Sequence, residues 1–169
     1  MNKKERIYVS EKLQILVGTK IADINRNHGD IWIDFVDENG KCYVLLMQTL
    51  FRLYDNKKIL ITDTDKYKNN ESENDDDSFE WDVQGANIFD KWISLNKEEL
   101  LKGLVVQNVK ISEFGDLVIS FEKNLILTVY LEVTNETECW RFFEKGNDEK
   151  YDLVVLGNGI NVDLLNSKK

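Results

Sequence analysis

A seven-residue pattern occurs twice in this chain, and it constrains the fold more than any other feature. Gly29-Asp30-Ile31-Trp32-Ile33-Asp34-Phe35 aligns with Gly115-Asp116-Leu117-Val118-Ile119-Ser120-Phe121, identical at four positions and apolar in both copies at two more. Each copy alternates apolar and polar residues after a Gly-Asp turn, the period of a strand with one buried face. The flanks repeat as well. Ser10 to Gly18 and Asn96 to Gly103 each read as an N-cap, a run of helix formers and a glycine stop. Ile21 and Ile24 follow Gly18 as Val106 and Val109 follow Gly103. Downstream, Phe51-Arg52-Leu53 answers Trp140-Arg141-Phe142, and each precedes another apolar run, Ile59–Ile61 or Leu153–Leu156. Self-similarity over this length is the mark of an internal repeat.

The expected fold is therefore α+β and mainly antiparallel: two repeats, each a short helix followed by a meander of about four strands, related by a quasi-twofold. At 169 residues the chain reads as a single domain. The repeats span about 10–63 and 95–165, joined by a connector over 64–94. Neither meander can cover its own apolar face, so the two should pack on each other or share one sheet. Asn27-His28-Gly29-Asp30, Asp37-Glu38-Asn39-Gly40 and Glu122-Lys123-Asn124 supply hairpin turns. Gly157-Asn158-Gly159 follows a strand but opens no helix, so it reads as a tight turn and not a phosphate loop.

Charge is distributed unevenly. Formal net charge is −9, from 31 acids and 22 bases. The stretch Asp63–Asp82 alone holds nine acids against two bases, leaving 22 acids and 20 bases elsewhere. An excess of acid argues against nucleic-acid binding, which needs clustered Lys and Arg, and none is expected. One His and two Cys leave little material for a His-based triad or a transition-metal site, and no nucleophile elbow, P-loop or dinucleotide fingerprint is present. We expect no enzyme activity and no cofactor. Cys42 and Cys139 lack CxxC spacing and read as buried free thiols. With no apolar run of membrane-spanning or signal length, the expected location is the reducing cytoplasm and no membrane contact is foreseen.

Recognition is the remaining class. Asp75, Asp76, Asp77, Glu80, Trp81 and Asp82 form an acidic patch around an aromatic anchor, suited to a basic protein partner. The competing account is a solvated loop pinned down by Phe79, Trp81, Phe89 and Trp92. A lesser alternative is a small-ligand or Ca²⁺ site: Asp63, Asp65, Asp75 and Asp77 are hard oxygen donors, but the spacing lacks the EF-hand glycine and glutamate. Arg52 and Arg141, two of only four arginines, occupy equivalent repeat positions. They read as a stacking or ion-pair position, with Asp34 or Glu132 as partners, or as an anion-binding pair in a groove between the repeats. Nothing in the sequence sets the oligomeric state.

The run from Phe79 to Asp90, the Phe51-Arg52…Asp63-x-Asp65 block and Glu138-Cys139-Trp140-Arg141-Phe142-Phe143 resemble a family of small bacterial proteins of Gram-positive type with an internal duplication. Some of that family are similar to immunity proteins of toxin systems. The resemblance implies an immunity-like binding role and transfers no catalytic residue.

Overall fold

The computed structural model describes residues 1–69, 79–146 and 153–161. The chain is α+β, with two α-helices and two antiparallel sheets among the described residues. Helix α1 (Lys3–Leu13) leads into a 3-10 turn (Gln14–Leu16) and five strands: β1 (Lys20–Asn27), β2 (Asp30–Val36), β3 (Cys42–Met47), β4 (Phe51–Tyr54) and β5 (Ile59–Thr62). After a 3-10 helix (Asp63–Tyr67) come α2 (Ile88–Asn96), a π-helical turn (Lys97–Leu101), β6 (Val106–Ile111), β7 (Leu117–Phe121), β8 (Ile126–Val129), β9 (Glu138–Glu144), β10 (Leu153–Leu156) and β11 (Gly159–Ile160).

Each sheet mixes strands from the two halves. One runs β1-β2-β3-β9-β10-β11 and the other β5-β4-β8-β7-β6. The chain crosses between sheets at two places. Between β3 and β4, Gln48 N donates to the Cys139 carbonyl and Thr49 Oγ1 to that of Tyr130. Leaving β8, Tyr130 N donates to the Leu50 carbonyl. The seams are β3 on β9 (Leu45 opposite Phe142) and β4 on β8 (Leu53 opposite Leu127).

Alternation then decides the layers. Ile31, Ile33 and Phe35 of β2 and Leu117, Ile119 and Phe121 of β7 point inward and are buried. The rings of Phe35 and Phe121 stack with centroids 6.5 Å apart and planes 6° from parallel, tying one sheet to the other. Val9 and Leu13 of α1 and Phe89 and Ile93 of α2 complete a single core cluster. At the starts of β1 and β6 the backbones bond to each other: Gly18 N to Val106 O, Val106 N to Thr19 O, Ile21 N to Leu104 O and Gly103 N to Ile21 O, all within 2.8–3.0 Å.

The helices begin earlier than the spacing predicts. The cap of α1 is Asn2, whose side chain accepts from Lys4 N and Glu5 N while its own N–H donates to the Glu5 carboxylate, so Ser10 falls inside the helix. The cap of α2 is Asn87, with its side chain accepting from Asp90 N, so Asn96 ends the helix instead of starting it. The end of the stretch expected to be connector thus belongs to α2. The glycine stops hold: Gly18 and Gly103 adopt φ of +89° and +79°, a conformation that other L residues rarely adopt. All three expected hairpin turns are present, between β1 and β2, β2 and β3, and β7 and β8.

Truncating Phe121 to Ala removes one ring of the stack, and we expect a loss of about 3–5 kcal/mol in urea unfolding. Phe35→Ala should cost a similar amount. The double variant should cost less than the two single losses combined, because the second truncation finds its partner already gone. Fully additive losses would mean the rings do not act as one contact.

Candidate functional site

The site is built on Arg26. Ile24 and Arg26 share the inward phase of β1, so an arginine occupies a position that alternation gives to the core. Its side chain is 1% exposed. Nε donates to Asp90 Oδ1 and Nη2 to Asp90 Oδ2, both at 2.6 Å, a two-pronged contact with the first turn of α2. The remaining donors are shared among carbonyls: Nη2 reaches Trp81 O at 3.2 Å and Val83 O at 3.0 Å, and Nη1 reaches His28 O at 3.0 Å. Asp90 also accepts from Gly85 N, and Asn87 Nδ2 donates to Trp81 O. The Trp81–Gly85 turn is therefore held by its own backbone to a buried ion pair.

A second buried cation sits alongside. Lys66, 4% exposed, donates from Nζ to Asp63 Oδ1 at 2.6 Å and to Gly29 O at 2.8 Å. Burial pushes the Asp63 carboxyl above the ordinary carboxylate range, against the pull of Lys66. Asp65 caps the 3-10 helix, accepting from Thr62 N and Thr62 Oγ1. Of the four aspartates suggested as metal donors, Asp63 and Asp65 thus have protein partners, and among the described residues no cluster of three or more His, Cys, Asp or Glu could hold a metal ion. Asp75, Asp76 and Asp77 lie outside the described residues.

What this scaffold presents to solvent is mixed in character. Glu80 and Asp82 are exposed. Trp81 is half-buried, its ring edge-on to Tyr67 at 4.9 Å between centroids. Tyr67 and Val83 are 46% and 49% exposed, a high figure for apolar groups on an immobilised backbone. Of the other aromatics here, Phe89 is buried edge-on against Phe51, Trp92 packs partly on the core and Phe79 is half-buried. His28 stands in the β1–β2 turn at φ +51°, with Nδ1 against Asn27 Oδ1.

The two repeat-position arginines do not converge. Arg52 lies exposed on the outer face of the five-stranded sheet, over the Tyr130 ring at 5.7 Å. Arg141 lies on the outer face of the other sheet and forks onto Glu138 at 3.0 and 2.8 Å. The partners expected from sequence are engaged elsewhere, Asp34 with Lys145 and Glu132 with Thr49 and Leu50. A cavity of about 590 Å³ beside Arg141 is lined by Glu5, Glu136 and Glu138, so its charge suits a cation better than an anion. Both free thiols, half-buried Cys42 and buried Cys139, are pushed above the ordinary thiol range by burial first. No helix among the described residues is long and apolar enough to cross a membrane.

Asp90→Asn leaves the Arg26 charge buried without its counter-ion, and we expect a loss of about 3–5 kcal/mol in urea unfolding. A loss below about 1 kcal/mol would mean the carbonyls alone satisfy Arg26. Because Asp63 is raised in the folded state, its linked stability is full below the ordinary carboxylate range and falls as pH rises through the raised value. Asp63→Asn should abolish that part of the pH dependence when midpoints are compared across acidic pH. Comparison with known proteins returned no match to any family model, any curated protein or any solved structure.

Proposed function

We propose that this chain is a non-enzymatic binding module for a basic protein, with an immunity-like role, and that the Trp81 turn and its acidic surroundings form its contact surface. The observation that carries this is the Arg26–Asp90 contact beneath exposed Glu80, Asp82 and Val83. Binding surfaces lose affinity to the ordering of loops, and a turn already fixed by a buried guanidinium avoids that loss. An aromatic flanked by acids and exposed apolar groups has the make-up of an interface anchor with a charged rim. The neighbouring acidic run, including Asp75, Asp76 and Asp77, adds long-range attraction for a cationic partner.

We further infer that the halves are a duplication related by a quasi-twofold. Support comes from the isolated bridge between Lys20 and Val105, positions that correspond when Gly18 is set on Gly103. The four backbone bonds around that bridge exchange onto one another under the same correspondence. Bulges interrupt β1 after Ile21 and β6 after Val106, again at matching places. The stacked Phe35 and Phe121 are the last residues of the two matching heptads.

The test is affinity capture from host lysate at low and high salt, using wild type, Glu80→Gln/Asp82→Asn and Asp75/Asp76/Asp77→Asn. A basic protein should be captured at low salt and weakened by either charge variant. In titration, Trp81→Ala should then lower its affinity by about tenfold or more. Capture indifferent to salt and to all three changes would sink this reading.

A further inference from the structure

Helix α2 buries one apolar stripe and leaves a second one open. Phe89 and Ile93 form the first and belong to the core. Ile88, Trp92 and Leu95 recur at i, i+4 and i+7, so they line another side, about a third of the way round the helix. Leu95 is 70% exposed and Ile88 38%, while Trp92 is half-buried at the border between the stripes. The main neighbours of α2 are the 3-10 helix at Asp63–Tyr67, the following π-helical turn and β5, and they leave Leu95 to solvent.

Charges flank this open stripe in a definite order. Lys91 stands on its outer flank in the first half of α2, exposed and without an ion pair among the described residues. Glu98 falls on the same flank two turns later, in the π-helical turn, and meets only the exposed Lys102. Glu99 follows as a second exposed acid. A base toward one end and acids toward the other make the stripe complementary to itself when one copy is turned end for end. Lys91 and Lys102 also balance Glu98 and Glu99, so two copies of this face escape the repulsion expected elsewhere on a chain of net charge −9.

We propose that this face joins two copies of the chain, as an isologous antiparallel pair of α2 helices about a twofold axis. Centred between Trp92 and Leu95, the pair seats each Trp92 on Leu95 of the second copy. It also brings each Lys91 within one helical turn of Glu98 of that copy, close enough for the two side chains to meet. Antiparallel helices oppose their dipoles, which favours the same arrangement. A groove on another protein could take the i, i+4, i+7 stripe as well, but it would give no meaning to the self-complementary order of charges. Two short helices bury little surface, at the low end of specific interfaces, so the dimer should form at micromolar concentration or above.

The test is sedimentation equilibrium of the full chain from micromolar to millimolar concentration. Wild type should pass from monomer to dimer across that range, and Leu95→Glu should stay monomeric throughout. Leu95 is largely exposed, so that variant should fold, as circular dichroism will check. Lys91→Glu or Glu98→Lys alone sets like charges together and should weaken the dimer about tenfold or more. Lys91→Glu/Glu98→Lys should restore it, because each contact then carries the same two charges reversed. The double change leaves net charge at −9, so its recovery separates the pairing from general repulsion. A wild type still monomeric at millimolar concentration overturns the proposal. So does a dimer that survives Leu95→Glu, or a double variant no tighter than the single ones. Partner capture through the Trp81 surface is read by Glu80→Gln/Asp82→Asn, so failure of either reading leaves the other standing.

Discussion

The seam between β3 and β9 is the constraint on which the rest of this structure depends. Without β9, β10 and β11, the first sheet would stop at β3, and without β4 and β5 the second would stop at β8. Each half therefore supplies strands that the other needs, and the core closes only when both are present. The Phe35–Phe121 stack sits where the two completed sheets face each other, so its geometry is a consequence of the exchange. The crossings at Gln48–Leu50 and at Tyr130 route the chain between layers while keeping backbone groups bonded.

Arg26 plays a comparable part for the surface. A charged group on the core phase of a strand is expensive unless its donors are met. Here an aspartate from α2 and a row of carbonyls meet them. The same bonds fix where the Trp81 turn lies relative to β1. A demand for polar satisfaction in the core is thereby converted into a definite shape outside it, which is how a small sheet protein can hold a loop for recognition without adding secondary structure to it.

Most of the strand content was legible in residue order, because period-2 alternation and Gly-Asp or Asn-Gly turns are local signals. Helix starts were less so. Asn2 with Glu5 forms a capping box, a local signal as readable as the one at Ser10, and only packing decides between the two starts. Strand exchange was invisible, since alternation reports which residues are buried and not which strand lies beside them. Within the site, Glu80, Trp81 and Asp82 were found from composition, but Arg26, Asp90, Lys66 and Asn87 were not. A signal for Arg26 did exist: it stands in phase with Ile24 on β1, and a lone arginine on a buried phase calls for a carboxylate. Asp34 reads in the sequence as a candidate partner for Arg52 or Arg141, and its actual partner, Lys145, lies 111 residues away and is a property of three dimensions.

The exchange of strands also bears on how the chain reaches its native state. Pairing Tyr43 with Glu144 joins residues about 100 apart, so loop-closure entropy must be spent before that ladder returns any stabilisation. During synthesis β1, β2 and β3 leave the ribosome long before β9 and expose an open edge in the interval. That edge is a template for pairing with another nascent chain, including another copy of this one. Late completion of the first sheet makes this a slow-folding topology, whose most vulnerable moment falls before the last third of the chain has emerged.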